Sequence, residues 1–193
     1  MSRSKLYLAL LHYPVQNKDG KAIASAITSI DLHDIARTAR TYGIAGFYVV
    51  TPLADQREFA GKIISHWVEG AGAKYNPDRK KAFSLIRLRS DLHEAVDEIR
   101  ADMENEVRVV ATSAAGGPGR LEFADFRQAL KTEDRSYVVA LGTAWGLSPE
   151  FMAKADCRLA PVAGMSDYNH LSVRAAAAII LDRLLAADLQ YLK

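Results

Sequence analysis

Cysteine is nearly absent from this 193-residue sequence, which contains only Cys157. A single cysteine excludes an internal disulfide and every zinc or iron–sulfur site that needs several cysteines. The five histidines are dispersed and form no His-x-x-x-His pair, so the sequence predicts no metal site. No apolar run reaches the roughly 20 residues of a membrane helix, and the run at 6–11 is too short for a signal peptide. We therefore expect a soluble, cytoplasmic protein.

A strong net charge is also missing, because 25 Lys and Arg face 23 Asp and Glu. Charge is nevertheless segregated along the chain. Residues 74–89 hold six basic residues and one Asp, whereas residues 91–106 hold seven acids and one Arg. In one interpretation a basic loop contacts a polyanion such as RNA through Lys74, Arg79, Lys80 and Lys81. In the other, the same loop is a solvated surface beside an acidic helix.

Apolar segments of strand length alternate with amphipathic segments of helix length, and 49% of the residues are hydrophobic. This alternation predicts an α/β fold in which helices cover a parallel sheet, and the length suits one domain, 1–193. Strands are predicted at 5–11, 44–50, 84–88, 107–113, 136–141 and 157–160. Helices are predicted at 32–42, 55–69, 91–104, 122–131, 149–154 and 169–192.

The first candidate motif is the helix predicted at 32–42, with Asp31 as its N-cap. Apolar residues follow the helical spacing of one buried stripe: Leu32, Ile35, Ala36 and Ala39. At about 100° per residue, His33, Arg37 and Arg40 lie together on a flank away from that stripe. This flank could hold a phosphate, or it is an ordinary cationic helix surface.

The second candidate motif follows the strand predicted at 136–141. Gly142 and Gly146 come directly after it, at the carboxyl end where open α/β sheets bind ligands. Either glycine could allow the backbone to approach a nucleoside-like ligand, or could simply turn the chain.

The third candidate motif is a polar, turn-like segment that runs directly into an apolar helix at 169–192. Asn169 and His170 are predicted at the N-terminus of that helix, where unpaired N–H groups favour ligand contact. The helix is apolar on nearly every side, which predicts packing against both the sheet and a partner subunit.

Other chemistries lack their signatures. The glycines at 116–119 have neither the Lys-Ser/Thr ending of a phosphate-binding loop nor the spacing of a dinucleotide fingerprint. Cys157 lies in an apolar strand and is read as a core residue. No serine has the Gly-x-Ser-x-Gly context of a hydrolase.

Taken in order, the three motifs resemble those of the SPOUT methyltransferases. Arg37-Thr38-Ala39 is similar to the first motif of the ribose 2′-O-methyltransferase branch. Leu141-Gly142 with Gly146-Leu147 is similar to the second, and Leu159-Ala160-Pro161 with residues 169–172 to the third. The sequence is also similar to a small group of such domains that occur alone or joined to a tRNA guanine-N1 methyltransferase.

The resemblance implies a deep C-terminal trefoil knot, at about 107–193, that binds S-adenosylmethionine in a bent conformation, and a homodimer. It implies that Arg37 is catalytic and prepares a ribose hydroxyl. The implied cofactor-binding residues are Ser113, Leu141, Gly142, Thr143, Gly146, Leu147, Leu159, Pro161, Asn169, His170, Leu171 and Ser172. The implied RNA-binding residues are His33, Arg40, Lys74, Arg79, Lys80 and Lys81.

The expected function is S-adenosylmethionine-dependent methylation of RNA, with tRNA ribose 2′-O-methylation as the main hypothesis. Methylation of a guanine nitrogen by the same fold is an alternative, because the second motif has Thr143-Ala144-Trp145 where ribose-branch relatives carry an acidic residue. A noncatalytic RNA-binding module is a further alternative. A fused or separate tRNA methyltransferase partner is compatible with all three.

Overall fold

A six-stranded parallel sheet forms the centre of the molecule in the computed structural model, which describes residues 4–186. Its strand order is β5-β4-β1-β7-β6-β8, and a separate antiparallel hairpin pairs β2 with β3. The strands are β1 Leu6–Leu11, β2 Val15–Gln16, β3 Ala22–Ile23, β4 Gly46–Val50, β5 Ile86–Arg89, β6 Glu106–Ala111, β7 Arg135–Gly142 and β8 Cys157–Arg158.

Helices connect these strands and cover both faces of the sheet, which confirms the predicted α/β fold. They are α1 Ser29–Thr41, α2 Ala54–Val68, α3 Ala71–Tyr75, α4 Pro77–Phe83, α5 Leu92–Met103, α6 Phe123–Thr132, α7 Pro149–Lys154 and α8 Val173–Leu185. One face packs against α1, α2, α4, α6 and α8, and the other against α5 and α7.

The central strands explain why their sequences are continuous apolar runs. Every residue of β1 is buried, and so is every residue of β4. A strand inside a parallel sheet is covered by helices on both faces, so neither set of alternating side chains reaches water. All six predicted strands are present, with end points shifted by a few residues.

The predictions for the basic segment and for the start of the last helix are wrong. Residues 74–81 are not a loop, because they form the end of α3 and most of α4, with the side chain of Asn76 accepting a hydrogen bond from the N–H of Arg79. The last helix begins at Val173 rather than at 169, and Ser172 is its N-cap. Its predicted end at 192 lies outside the described residues.

Helix α1 has the predicted buried stripe, since Leu32, Ile35, Ala36 and Ala39 are inaccessible to solvent. Its N-cap is Thr28 rather than Asp31. The Thr28 hydroxyl donates to the Asp31 carboxylate at 2.6 Å and accepts from the Asp31 N–H at 3.3 Å. The Thr28 side chain therefore provides a hydrogen-bond partner both for a free N–H at the start of the helix and for the Asp31 carboxylate, as a capping residue does.

Part of the charge segregation is structural. On β5, Arg87 donates to the Glu98 carboxylate of α5 at 2.5 Å, and Arg89 pairs with the same carboxylate. The acidic helix therefore neutralises the arginines of the neighbouring strand, and the basic residues left for another partner lie on α3 and α4.

Candidate active site

Three loops meet at one edge of the sheet. Strands β7, β6 and β8 are neighbours and run in the same direction, so the loops that follow them, at 143–148, 112–122 and 159–172, begin side by side. Ligands of open α/β sheets bind at such carboxyl ends. These loops contain most of the residues predicted to bind the cofactor.

The loop after β7 is a tight turn built on close backbone contact. The N–H of Gly146 donates to the carbonyl of Thr143 at 2.9 Å, and Gly146 has a φ of +97°, which favours glycine. At Gly142, an added Cβ would lie 2.5 Å from the nitrogen of Leu147 and 2.8 Å from the carbonyl carbon of Gly146. Only glycine therefore lets the loop fold back against the end of its own strand.

The β2–β3 hairpin holds this loop from outside, a feature that sequence reasoning missed. The main chain of Gln16 accepts from the N–H of Trp145 at 3.1 Å and donates to the carbonyl of Gly146 at 2.9 Å. Its side-chain amide also donates to the carbonyl of Leu147 at 2.7 Å. Strands of two residues leave no periodic pattern, so no sequence signal identified them.

Three hydrogen-bonded polar side chains lie beneath the same loop: His12 and Thr143, which are buried, and Ser25, which is partly buried. The hydroxyl of Thr143 donates to the carbonyl of Leu11 at 3.1 Å and lies 2.5 Å from the hydroxyl of Ser25, whose oxygen is 3.0 Å from Nδ1 of His12. Because Thr143 has one proton and gives it to Leu11, Ser25 donates to Thr143 and His12 donates to Ser25. The Thr143 hydroxyl is thus engaged in anchoring the loop.

Burial lowers the pKa of His12 from 6.5 to about 4, against an opposing effect of Asp31. Since the unfolded chain binds this proton more readily, we expect the free energy of unfolding to fall as the pH drops from about 6.5 to about 4. The stabilisation is complete above pH 6.5, and its loss amounts to about 3 kcal/mol.

Urea unfolding at several pH values would measure this dependence, with His12→Gln as the comparison because glutamine does not titrate. The variant should show a flatter curve between pH 4 and pH 6.5. Parallel curves for the two proteins would mean that His12 does not cause the acid sensitivity.

The loops after β6 and β8 contact each other. The side-chain amide of Asn169 donates to the carbonyl of Ala114 at 2.8 Å, and the N–H of Ala160 donates to the carbonyl of Leu121 at 2.9 Å. Leu159 is buried, while Leu171 is exposed. The structure therefore brings the predicted third motif next to the loop that contains Ser113.

Asn169 and His170 do not occupy the helix N-terminus that the sequence predicted for them. They precede it, and the N-terminus is capped by the Ser172 hydroxyl, which accepts from the N–H of Ala175 at 3.2 Å. His170 instead contacts the ring of Tyr168, with the ring centroids 5.3 Å apart. Both predicted residues thus belong to the exposed loop.

Arg37 lies on the exposed ridge of α1. Within residues 4–186 its guanidinium has no ion pair or hydrogen bond, and neither has that of Arg40. Arg37 borders a surface cavity of about 320 Å³ between α1 and α8, whose lining residues are Asp34, Arg37, Thr38, Thr41, Tyr42 and Ala178. A guanidinium that no neighbour neutralises is available to an anionic ligand.

Helix α8 is fixed on either side of this cavity by polar contacts to α1. Arg174 lies 3.4 Å from Asp31 and 3.7 Å from Asp34, and the hydroxyl of Tyr42 donates to Asp182 at 2.8 Å. The acids of α1 are therefore partly neutralised, which leaves the cationic character of Arg37 dominant.

His33 and Arg79 belong to an aromatic cluster and not to an open cationic surface. The His33 ring packs edge-on against Phe83 at 4.6 Å and Trp67 at 5.4 Å, and the Arg79 guanidinium lies 4.4 Å from the centre of the Trp67 ring. The predicted grouping of His33 with Arg37 and Arg40 is therefore incomplete, because His33 is directed toward α2 and α4. Sequence spacing could not reveal these neighbours.

The remaining basic residues lie on α3 and α4. Lys74, Lys80 and Lys81 are all exposed, and Lys81 pairs with Asp78 at 3.0 Å. An exposed pair of this kind is weak, so it does not prevent contact with a phosphate.

The described part of the chain contains no group of three or more His, Cys, Asp or Glu that could hold a metal ion. Burial raises the pKa of the Cys157 thiol, which makes it a poor nucleophile. Among residues 4–186, no helix is long and apolar enough to cross a membrane.

Solved structures define the class to which this fold belongs. The SpoU methyltransferase AviRb from Streptomyces viridochromogenes, solved with AdoMet, superposes with a TM-score of 0.58 at 19% identity, covering 96% of this chain and 58% of that one. The TrmH/SpoU tRNA modifying enzyme of A. aeolicus gives a TM-score of 0.52 at 19% identity over 96% and 75%. The fold is that of the SpoU and TrmH methyltransferases.

The chain belongs to the family of SAM-dependent RNA methyltransferases, whose model matches residues 5–186. This match confirms the family of S-adenosylmethionine-dependent RNA methyltransferases that the sequence predicted. It is 42% identical over 180 residues to a tRNA (guanine-N(1)-)-methyltransferase of Oleidesulfovibrio alaskensis, covering 93% of this chain but 42% of that protein. It is 39% identical over 188 residues to an uncharacterized protein of Aquifex aeolicus, covering 97% and 92%.

The loops after β7 and β8 present main-chain groups that a ligand can reach. The Gly142 position leaves no room for a side chain, so the loop after β7 presents its backbone closely, and Gly146 has open space where a side chain would project. In the loop after β8, most of the residues between 163 and 168 are exposed, and the carbonyl of Ala163 is fixed by Arg183 at 3.0 Å. Such exposed backbone can hydrogen-bond an adenosine.

Proposed function

We propose that this chain methylates the ribose 2′-hydroxyl of a tRNA nucleotide. The observation that carries the proposal is the unneutralised Arg37 on the ridge of α1, in a family of RNA methyltransferases whose fold matches SpoU enzymes. Methyl transfer to a hydroxyl needs little from the protein except positioning and stabilisation of the charge that develops on oxygen.

S-adenosylmethionine supplies an electrophilic methyl group on a sulfonium. The loops at 112–122, 143–148 and 159–172 would hold its adenosine and direct the methyl group toward the RNA. Arg37 cannot accept a proton, because a guanidinium stays charged. Arg37 would instead stabilise the negative charge that the 2′-oxygen gains as its proton leaves to an RNA phosphate or to water. As the oxygen–methyl bond forms, the sulfur–methyl bond of the sulfonium breaks, and the rest of the cofactor leaves as a neutral thioether.

RNA contact is assigned to the same side of the molecule as Arg37. Arg40 lies one turn away on α1, and the exposed Lys74, Lys80 and Lys81 lie on α3 and α4, which pack beside α1 and α2. Neutralising phosphates with these cations releases counterions, so the affinity for RNA should fall steeply as salt rises.

Methylation of a guanine nitrogen is the second candidate, because the Oleidesulfovibrio protein and another similar relative, from Nitratidesulfovibrio vulgaris, are tRNA (guanine-N(1)-)-methyltransferases. The chain spans only 42% of their length, so that activity can reside in the part of those proteins that this chain does not match. This chain matches 92% of the length of the Aquifex protein, which supports the view that the domain also occurs by itself. A fused or separate tRNA methyltransferase partner is compatible with both observations.

The knot and the homodimer are parts of the same proposal. The contact between Asn169 and Ala114 supports a crossing of the loops after β6 and β8, as a knot at about 107–193 requires, although residues 187–193 lie outside the described chain. The partly exposed apolar residues of α8, such as Val173 and Ile179, support a partner subunit. Sedimentation that finds only monomer at micromolar concentration would contradict the dimer.

The decisive experiment is incubation of the purified protein with methyl-labelled S-adenosylmethionine and unmodified tRNA, followed by digestion to nucleosides. We expect a labelled 2′-O-methylnucleoside. A labelled methylguanine base would establish the second candidate instead. RNA binding without a labelled product would indicate a noncatalytic module on this RNA.

A further inference from the structure

A groove between α1 and α2 is independent of the three loops. Its volume is about 450 Å³, and it is lined by Ser29 and His33 of α1 and by Phe59, Lys62, Ile63, His66 and Trp67 of α2. We propose that this groove, named here the α1–α2 groove, binds an unpaired nucleobase of the RNA substrate. The inference rests on the proposed RNA methyltransferase function and adds a second contact point to it.

The floor of the groove is fixed by packing and does not depend on a ligand. The Arg79 guanidinium carbon lies 4.4 Å from the centroid of the Trp67 ring. The rings of His33 and His66 pack edge-on against Trp67, with ring centroids 5.4 Å and 4.9 Å away. Gly72 of α3 closes the arrangement, since a Cβ there would lie 2.6 Å from the Trp67 ring and 2.9 Å from the His66 ring. A preorganised aromatic site loses little freedom when a flat ligand enters.

The lining has the chemistry that a nucleobase needs. Phe59 is 44% exposed at the mouth, so part of its ring is open to stacking. Aromatic side chains bind bases through stacking, which any base can make. Burial, followed by the charge of Arg79, lowers the pKa of His33, so its imidazole is neutral near pH 7 and can both donate and accept a hydrogen bond.

Charge and position favour RNA over an apolar protein segment as the occupant. Lys62 lies at the groove, in an exposed pair with Glu58 that a phosphate can replace. His33 is one turn from Arg37 along α1, so the groove and the proposed catalytic guanidinium belong to the same helix. The base must be unpaired, because the faces of paired bases are covered by stacking.

The test compares Phe59→Ala with Phe59→Trp, which retains an aromatic face, and with Leu53→Ala as the matched control. Leu53 is 40% exposed and lies at the N-cap of the same helix, outside the lining. Fluorescence anisotropy would measure the affinity for a pool of unmodified tRNA transcripts at fixed salt. Calorimetry would measure the affinity for S-adenosylmethionine.

We expect Phe59→Ala to weaken RNA binding about tenfold, the loss of one stacked base, with S-adenosylmethionine affinity unchanged. Phe59→Trp and Leu53→Ala should bind RNA as the unchanged protein does. Photocrosslinking of transcripts that contain 5-iodouridine should yield peptides from α2.

Equal RNA affinity for Phe59→Ala and Leu53→Ala, or crosslinks confined to other segments, would contradict nucleobase binding in the α1–α2 groove. Neither result would contradict the proposed methyltransferase function. Failure of the unchanged protein to bind any transcript would overturn both.

Discussion

Arg37→Ala is expected to reduce methyl transfer by at least two to three orders of magnitude while S-adenosylmethionine binds as before. The guanidinium has no partner among residues 4–186, so its removal leaves no buried charge and should not disturb the fold. What disappears is the positive charge at the developing oxyanion, and one such group is typically worth a factor of about 10²–10³. Single-turnover transfer to tRNA and calorimetric cofactor titration would measure the two effects.

Two variants sharpen this experiment. Arg37→Lys keeps a positive charge but loses the planar, bidentate guanidinium, so we expect partial activity. Arg100→Ala is the matched control, because Arg100 is an exposed arginine of α5 on the opposite face of the sheet, where it pairs with Asp97 at 2.8 Å. If Arg37→Ala turned over as fast as Arg100→Ala, Arg37 would have no part in the reaction.

Gly142→Ala is expected to weaken S-adenosylmethionine binding by at least tenfold. The added Cβ would lie 2.5 Å from the Leu147 nitrogen and 2.8 Å from the Gly146 carbonyl carbon, and both are backbone atoms that cannot rotate away. The loop at 143–148 must therefore move, and with it the main-chain groups assigned to the adenosine. Displacements of about 1 Å can cost two orders of magnitude in positioning.

The measurement is calorimetric titration of S-adenosylmethionine, with tRNA binding as evidence that the variant remains folded. Gly61→Ala serves as the control. Gly61 lies in α2, and an added Cβ would be 3.8 Å from the Leu88 side chain, which is an ordinary van der Waals contact. That change should leave cofactor affinity intact and stabilise the helix by up to about 1 kcal/mol. Unaltered cofactor affinity in Gly142→Ala would mean that the loop after β7 does not hold the adenosine.

Local patterns were enough to predict the parts of the fold that depend on burial alone. The runs around β1, β4 and β7 are apolar because strands inside a parallel sheet are covered on both faces. The stripe of α1 follows from helical periodicity, which by itself predicts that Arg37 is on the exposed side of the helix. Membership of an RNA methyltransferase family was likewise accessible from three short motifs.

Contacts between segments that are distant in the chain could not be predicted from the sequence. The β2–β3 hairpin has two residues in each strand, and its function is to bond a loop some 130 positions later through Gln16. His33 was assigned to a cationic flank, but Trp67 and Phe83 direct it into an aromatic cluster. Neither partner is visible from the periodicity of α1.

The sequence by itself determined the alternation of strands and helices, the buried stripe of α1 and the three motifs, because burial and periodicity are properties of neighbouring residues. Only the tertiary structure decided that β7, β6 and β8 lie side by side, that Ser25 links His12 to Thr143 and that Trp67 forms the floor of a groove. These arrangements depend on contacts between residues far apart in the chain, and their free energy exists only once the sheet has assembled.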